Sequence, residues 1–362
     1  MIFAPIDREM NSENHKMGKP WQDVGESSSI DRHFTVFVSK FDLKCDVAGV
    51  ISQTTFDLPR ISRLTFWPAL FGLIWRTRKA RAIFVSNPHI QELGFIYLAK
   101  LIYGKSINTF VFDLILRVPT RWLDKVLLPI KRKFLSAIDT FIVIHKEVSG
   151  YERHYGIERN HCEYVPFKAN NIDLVGSVLE KDGAYVLALG ASQRDYELLI
   201  NAVDGSECPV KIVLSQASAV AHNAKMRDGP LPKNVERIDW QVDRLTWNKY
   251  IAESRIVVVP IISSAIQPAG ISVYLEAMAF GKPVIVTQGA STVGLLDDAV
   301  ARLVPPGDVG ALRTAIERLW NDSRARDELS GNGRKYALSL GTHDRLVEDI
   351  RRVISERCVQ GR

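Results

Sequence analysis

The sequence has few of the residues that build disulfide frameworks, zinc sites or membrane spans. Its four cysteines, Cys45, Cys162, Cys208 and Cys358, lie far apart in 362 residues and form no Cys-x-x-Cys or Cys/His spacing. This spacing argues against a disulfide or zinc scaffold and is typical of a reducing cytosol. The longest aromatic-rich apolar stretch, Leu64–Trp75, is too short to cross a bilayer.

Other signals are also missing. The start of the chain lacks the basic-then-apolar pattern of a secretory signal, so we expect a cytoplasmic protein. No Asp-x-Asp pair is present, and the adjacent Asp297 and Asp298 are interpreted as a surface turn, so we expect no metal site. Gly281-Lys282 is not a phosphate-binding P-loop, because Pro283 follows and no glycine stands five residues before Gly281.

The charge is unevenly distributed. The formal net charge is +6, yet fourteen Lys/Arg and three acids lie between Arg60 and Lys133, a local net charge of +11. A basic segment inside a near-neutral chain indicates an anionic partner, such as lipid headgroups or a phosphorylated substrate. Nucleic acid is not expected, because the segment contains no recognisable reader motif.

Short apolar runs alternate with helical patterns along most of the chain. Runs that are apolar throughout and separated by helices predict parallel sheets covered on both faces, the doubly wound α/β class. The predicted helices are Ile90–Leu101, Tyr196–Ala202, Leu275–Phe280 and Ala311–Trp320. The predicted strands are Phe34–Val38, Ala82–Ser86, Ile107–Phe112, Thr140–Ile144, Tyr185–Leu189, Val210–Leu214, Val235–Ile238, Ile256–Pro260 and Pro283–Thr287.

The strands fall into two sets, separated by a polar stretch near Asn170–Asp182. We predict Rossmann-like domains at 1–175 and 182–340 that face a cleft, with a helix at 341–362 that packs back on the first domain. The first sixty residues are poorly patterned: Met1–Pro5 is a candidate strand, and Asn11–Ser29 is interpreted as loop or disorder.

The segment from Ile256 to Thr287 carries the most specific signal. A buried strand leads to a loop that ends at Gly270, and a helix follows from near Ser272. Free N–H groups and the positive dipole end make such a helix start a phosphate site, with Gly270, Ile271 and Ser272 as contacts. Glu276 lies one turn deeper on the same side, where a carboxylate can accept hydrogen bonds from a ribose diol. Ser272 and Glu276 alone would be interpreted as a helix cap and a solvated helix face.

The string Glu276-Ala-Met-Ala-Phe-Gly-Lys-Pro-Val-Ile285 resembles the donor-binding core of glycosyltransferases with the GT-B fold, especially glycosyltransferase family 4. The resemblance is good over residues 139–321 and is absent from the first sixty. It implies that the Gly270 loop meets a pyrophosphate and that Glu276 holds the ribose of a nucleotide sugar. It also implies that Gly190 opens the carboxy-terminal domain in a loop where a basic residue meets the phosphates.

The chain departs from the family pattern at three places. Pro268 replaces the first of two glutamates eight positions apart, which leaves Gln267 as the nearest polar substitute near the donor sugar. Ala191 replaces the common arginine, so Arg194 becomes the basic candidate. The early Gly-Gly loop of the family is not visible.

Three residues are candidates for acid–base chemistry at the carboxyl ends of strands. Asp113 follows the strand Ile107–Phe112, where it is either a catalytic base or a turn residue. His89, in Ser-Asn-Pro-His, resembles a cleft histidine of the family but also fits a helix start. His145 is the third candidate and is more typical of a capping residue.

Two stretches combine aromatic or apolar residues with a basic end, 61–81 and Lys125–Phe134. Each fits either a helix that covers the sheet or a peripheral contact with an anionic membrane. We therefore expect a metal-independent hexosyltransferase with no resident cofactor, which moves a sugar from a nucleoside-diphosphate sugar to a lipid-linked or polysaccharide acceptor. The alternatives are a nucleotide-sugar epimerase of the same fold and a non-catalytic relative that binds a glycan or a partner.

Overall fold

The computed structural model describes residues 34–43, 51–58, 65–175, 183–238 and 243–360. The candidate strand Met1–Pro5 and the predicted loop Asn11–Ser29 lie outside the described residues. So do residues 176–182 of the predicted domain boundary, and the domain limits at 175 and 182 stay predictions.

The amino-terminal lobe contains a parallel sheet of six strands in the order β2-β1-β3-β4-β5-β6. The central strands β3 to β5 are apolar and buried on both faces, as expected for a doubly wound sheet. The strands are β1 (Phe34–Ser39), β2 (Ile51–Thr55), β3 (Ala82–Ser86), β4 (Asn108–Phe112), β5 (Thr140–Val143) and β6 (Cys162–Tyr164).

Four helices connect these strands. The connections from β2 to β3, β3 to β4 and β4 to β5 all cross in the same direction along the sheet, so right-handed crossovers place their helices on one face. The contacts between the helices agree with this placement, because the second helix packs against both the first and the third. The helices are α1 (Phe66–Thr77), α2 (Ile90–Tyr103), α3 (Trp122–Leu135) and α4 (Ser149–Tyr155).

The carboxy-terminal lobe contains a second parallel sheet of six strands, in the order β12-β11-β10-β7-β8-β9. Its central strands β7, β10 and β11 are fully buried. The strands are β7 (Val186–Leu189), β8 (Val210–Val213), β9 (Val235–Ile238), β10 (Ile256–Val259), β11 (Val284–Thr287) and β12 (Arg302–Val304). The helices are α5 (Tyr196–Val203), α6 (Gln216–His222), α7 (Arg244–Ala252), α8 (Ile271–Ala279), α9 (Val309–Asn321) and α10 (Ser323–Ser339).

The last helix, α11 (His343–Gln360), packs on the amino-terminal lobe. Its buried residues, among them Ile350 and Ile354, join the core cluster that contains Val36, Phe84 and Phe110 of the first sheet. Hydrogen bonds support this packing, because the amide of Asn108 donates to Cys358 Sγ over 3.6 Å. The helix therefore covers part of the first sheet although it follows the second lobe in sequence.

Two six-stranded parallel sheets with flanking helices confirm the predicted fold class. In the part of the chain that the structure describes, no helix is both long and apolar enough to span a bilayer. The sequence patterns did not predict three strands: β2, β6 and β12. Each of them lies at an edge of its sheet, where one side of the strand has no neighbour.

Candidate functional site

The turn between β10 and α8 is built around Gly270. Its φ of 89° lies in the left-handed region, and a Cβ atom there would come within 2.8 Å of Val259 Cγ1. Both the backbone conformation and the space therefore require glycine. The helix begins at Ile271, with Gly270 at the cap position. The interpretation of Ser272 as the cap is thus wrong, since α8 starts one residue earlier than Ser272.

The first N–H groups of α8, at Ile271 and Ser272, have no acceptor within the helix and lie at its positive dipole end. Gly281 has a φ of 69° and follows the helix, which confirms the left-handed residue predicted at its end. Because β11 begins at Val284, directly after this turn, α8 is held between two buried strands. The arrangement fixes the helix start at the carboxyl-terminal edge of the sheet.

Arg194 lies in the loop after β7, next to this helix start. Its side chain is only 2% exposed and donates from Nη1 to the carbonyl of Ser192 at 2.9 Å and from Nε to that of Leu189 at 3.2 Å. A Cβ atom added at Gly190 would lie 2.8 Å from Arg194 Nη2, and one added at Gly270 would lie 3.4 Å from Arg194 Nη1. The guanidinium thus touches both glycine turns.

No acid of the described residues matches the charge of Arg194. Among the described residues it forms no salt bridge with a carboxylate, and burial lowers its pKa, an effect that Tyr196 opposes. An isolated buried charge is costly unless an ion of opposite sign joins it. Arg194, Gly190, Gly270 and the start of α8 therefore form a cradle suited to an anion.

Glu276, one turn into α8, is 4% exposed and is not on a solvated helix face. Its Oε1 accepts a hydrogen bond from the Asn171 amide, and its Oε2 accepts one from Trp247 Nε1 at 3.3 Å. Burial raises the pKa of Glu276, whereas these two hydrogen bonds and the charges of Arg244 and Lys168 lower it. The carboxylate is thus surrounded by donors, none of which sequence patterns identified.

Two buried glutamines carry unsatisfied polar atoms close to these loops. Gln267 donates from Nε2 to Ser192 Oγ at 2.9 Å, and its Oε1 has no hydrogen-bond partner among the described residues. Gln193 accepts from the Asn223 amide at 3.4 Å, and within the described part of the chain its own Nε2 has no partner. Buried polar atoms usually have hydrogen-bond partners, so both side chains are candidates for contact with a ligand. Gln193 has a φ of 54°, a feature that no sequence motif would reveal.

Asp113 directly follows β4, as predicted, and is held with a φ of 50°. Its side chain is half-buried, and desolvation raises its pKa to about 6. Strained left-handed residues other than glycine often mark functional sites. The carboxyl group therefore has a perturbed proton affinity at the carboxyl-terminal edge of the sheet, where ligands bind in this fold class.

His89 occupies the cap position of α2 and is exposed. Its backbone N–H donates to Glu92 Oε2 at 2.6 Å, and Glu92 is buried and paired with Lys40 at 2.7 Å. Asn87, two residues earlier, donates from its backbone to the carbonyl of Phe112 at 2.8 Å. His89 and Asp113 therefore lie at neighbouring strand ends, although His89 also fulfils the helix-start role.

His145, after β5, is 1% exposed, and neither of its ring nitrogens has a hydrogen-bond partner in the part of the chain that the structure describes. Burial lowers its pKa to about 4, and the charge of Glu147 acts in the opposite direction. The interpretation of His145 as a helix cap is wrong, because Val148 occupies the cap position of the next helix, α4. The ring instead packs edge-on against Tyr151, with the centroids 5.2 Å apart. The Tyr151 hydroxyl donates to the carbonyl of Leu114 at 2.6 Å, so the same ring contacts the segment that directly follows Asp113.

The two lobes meet beside these groups. A Cβ atom at Gly150 would lie 2.5 Å from Ile266 Cγ2, and one at Gly294 would lie 3.3 Å from Lys146 Cδ. The segment that follows His145 therefore touches the segment that precedes Gln267. Within the described residues, no group of three or more His, Cys, Asp or Glu side chains is arranged to hold a metal ion.

Comparisons with known proteins agree with this geometry. Residues 185–322 match the sequence family described as "Glycosyl transferases group 1". No curated protein matches this sequence significantly.

Several solved structures have the same fold. HepE from Anabaena, in complex with UDP-glucose, is 12% identical with a TM-score of 0.63, over 90% of this chain and 100% of that chain. Sucrose-phosphate synthase from Thermosynechococcus elongatus is 17% identical with a TM-score of 0.61, over 84% of each chain. The lipopolysaccharide outer core galactosyltransferase WaaB is 14% identical with a TM-score of 0.55, over 85% of this chain and 84% of that chain. The chain has the fold of the GT-B glycosyltransferases, and residues 185–322 are similar to the group 1 glycosyltransferase family.

Proposed function

We propose that this protein transfers a hexose from a nucleoside-diphosphate sugar to a lipid-linked or polysaccharide acceptor, without a metal ion. The observation that carries the proposal is Arg194, a buried cation without an acidic partner that lies against two glycine turns and the start of α8. A pyrophosphate would supply the missing negative charge. Structures of similar fold, such as HepE, were solved with UDP or UDP-glucose bound, which supports this donor class.

The donor is expected to lie across the carboxy-terminal lobe. Its pyrophosphate would accept hydrogen bonds from the N–H groups at Gly270–Ser272 and from Arg194, and its ribose diol would donate to Glu276. Because the Asn171 amide donates to Glu276 Oε1, a ribose hydroxyl that binds this oxygen would displace the Asn171 amide. Gln267 Oε1 is the unsatisfied acceptor available to a hydroxyl of the sugar.

Transfer requires a stabilised leaving group and an activated acceptor hydroxyl. In a site from which water is excluded, the fixed charge of Arg194 stabilises the leaving nucleoside diphosphate strongly. If the anomeric configuration is inverted, Asp113 accepts the proton of the acceptor hydroxyl. A carboxyl with a pKa of about 6 is mostly ionised at neutral pH and still basic enough to take that proton.

A panel of nucleotide sugars tests the proposal. Ligands that bind only the folded state raise the melting temperature by mass action, so one nucleoside diphosphate and its sugars should stabilise the protein. The stabilising donor should then yield a glycosylated product when acceptors are supplied. Conversion of the donor sugar without any acceptor would favour an epimerase instead, and absence of stabilisation by every nucleotide would favour a non-catalytic relative.

Metal independence has its own test. Since Arg194 and a helix start neutralise the pyrophosphate, transfer should persist after dialysis against EDTA. Complete loss of transfer, restored by magnesium or manganese, would contradict this part of the proposal.

A further inference from the structure

Two helices of the amino-terminal lobe carry large apolar side chains on their solvent-facing sides. On α1 the exposed residues recur every fourth position, at Trp67, Phe71 and Trp75. On α3, only Leu135 is fully buried, and Trp122 is 70% exposed. The other exposed apolar residues of α3 are Leu123, Val126, Leu127 and Ile130. Ordinary surface helices place polar residues at such positions.

These two helices belong to one layer. Both cover the same face of the first sheet, and α2 packs between them. The exposed residues of α1 and α3, here called the α1–α3 surface, therefore flank a single helix. Apolar patches of this kind mark interaction sites in soluble proteins.

The surroundings of the α1–α3 surface are strongly basic. From Phe66 to Leu135 there are twelve Lys/Arg and three acids, a net charge of +9. Of these acids, Glu92 is buried and Asp113 is half-buried, which leaves Asp124 as the exposed one. Arg78 stacks on Trp75 with 3.5 Å between its Cζ and the ring centroid, so a cation lies directly against an exposed aromatic ring.

This combination favours a lipid surface over a protein. Helices that lie in a membrane interface combine Trp, Phe and Leu with Lys and Arg, whereas the cores of protein interfaces are depleted of lysine. A second copy of the chain is disfavoured, because a symmetric contact would bring two basic surfaces together. Anionic headgroups complement the charge, and the acyl region accommodates the apolar side chains.

We infer that the α1–α3 surface docks on an anionic lipid bilayer and presents the cleft to an acceptor held there, an inference that rests on the proposed transfer to a lipid-linked acceptor. The chain passes from Asp113 at the end of β4 to Trp122 at the start of α3, so both residues lie at one edge of the sheet. Between them, Arg117 donates to the carbonyl of Ala221 in the other lobe at 3.3 Å. The first turn of α3 therefore lies where the cleft opens.

Sedimentation of the full chain with vesicles tests this inference. Wild type should sediment with phosphatidylcholine vesicles that contain phosphatidylglycerol, less so as salt rises, and not with phosphatidylcholine alone. The Trp122→Ser/Val126→Ser variant should lower the partition about tenfold, because two apolar side chains no longer enter the interface. The matched control is Val220→Ser/Leu338→Ser, which removes two exposed apolar residues of the other lobe and should sediment like wild type.

Three results would overturn the inference: no sedimentation of wild type, equal sedimentation with neutral vesicles at all salt concentrations, or unchanged sedimentation of the α3 variant. A dimer in gel filtration that the α3 variant converts to a monomer would assign the surface to a second copy. Titration with the panel of nucleoside diphosphates separates this test from the proposed function. Wild type that binds vesicles but no nucleotide would retain the docking surface and contradict the donor site.

Discussion

The two lobes place different kinds of residue at the carboxyl-terminal edges of their sheets. The carboxy-terminal lobe gathers a buried cation, Arg194, and two buried amides, Gln267 and Gln193. The amino-terminal lobe instead presents Asp113 and His145, whose pKa values burial shifts in opposite directions, to about 6 and about 4. Both edges have the same architecture of parallel strands followed by helices, so the difference lies in the side chains alone.

We propose that this difference separates binding from chemistry. A buried cation and buried amides gain charge pairing or hydrogen bonds when a ligand arrives, so we expect them to contribute affinity. A carboxyl with a shifted pKa changes protonation near neutral pH, so we expect Asp113 to contribute to proton transfer. Substitutions in the carboxy-terminal lobe should therefore change donor affinity, whereas those at Asp113 should change turnover.

The largest effect is expected for Asp113→Asn. If Asp113 is the base of an inverting transfer, kcat should fall about 10²–10⁴-fold while donor affinity stays the same. The wild-type rate should fall below pH 6 as the carboxyl is protonated, since its pKa is about 6, and the variant should lose this limb of the profile.

The companion variant is His89→Ala, which removes the second acid–base candidate, an exposed side chain at the neighbouring strand end. Steady-state rates and donor titrations of both variants distinguish the two candidates. Near-normal turnover of Asp113→Asn would remove the residue from the mechanism. If Asp113→Asn lowers turnover only slightly and His89→Ala binds the donor weakly, the results would favour a retaining enzyme in which His89 orients the donor sugar.

His145→Gln should have the next largest effect, on stability rather than on affinity. The pKa of His145 is about 4 in the folded protein and near 6.5 in an unfolded chain, so the unfolded state binds the extra proton. Stability should therefore be lost as pH falls from 6.5 towards 4, by up to about 3 kcal/mol for this residue. The His145→Gln variant should lose less stability over this pH range, because its side chain does not titrate. Urea unfolding at pH 7 and pH 5 measures the difference, and identical pH dependence in both proteins would show that His145 is not a neutral buried imidazole.

Glu276→Ala should have a smaller effect, which is specific to donor binding. Loss of a charged hydrogen-bond partner for the ribose should weaken nucleotide binding by about 1–3 kcal/mol. Glu317→Ala provides the control, because Glu317 is an exposed glutamate on α9 of the same lobe. Calorimetric titration with the nucleoside diphosphate that stabilises wild type compares the two variants, and equal affinity in folded Glu276→Ala would remove the carboxylate from the site.

The sequence patterns predicted the buried parts of this fold better than its edges. Strands such as β3 and β10 are apolar throughout, so a run of β-branched residues predicted them within one residue. The edge strands β2, β6 and β12 are short and partly polar, with sequences such as Ile-Ser-Gln-Thr-Thr, and carry no such signal. Their strand conformation depends on pairing with a neighbour, which is a tertiary property.

The candidate site shows a similar limit. Gly270 and Glu276 lie within one short segment, so their spacing on a loop and a helix predicted that they would act together. Asn171 and Trp247 approach Glu276 from segments 105 and 29 residues away, and no local pattern connects them. Lone polar residues such as His145 are equally ambiguous in sequence, because only burial distinguishes a cap from an unpartnered imidazole.

Among the described residues Arg194 is a buried cation with no acidic partner, and we propose that the donor pyrophosphate balances its charge. Calorimetric titration of Arg194→Gln with the nucleoside diphosphate that stabilises wild type, together with the melting temperature of the variant, distinguishes this role from a structural one. Arg227→Gln is the control, because Arg227 is already paired with Glu197 at 2.8 Å. The nucleotide affinity of Arg194→Gln should fall by about 1.5–3 kcal/mol, the range for hydrogen bonds to a charged group. Its melting temperature should stay the same or rise, because an isolated buried charge is removed. A folded variant with wild-type affinity for the nucleotide, or one with a lower melting temperature and unchanged affinity, would show that Arg194 is a structural residue.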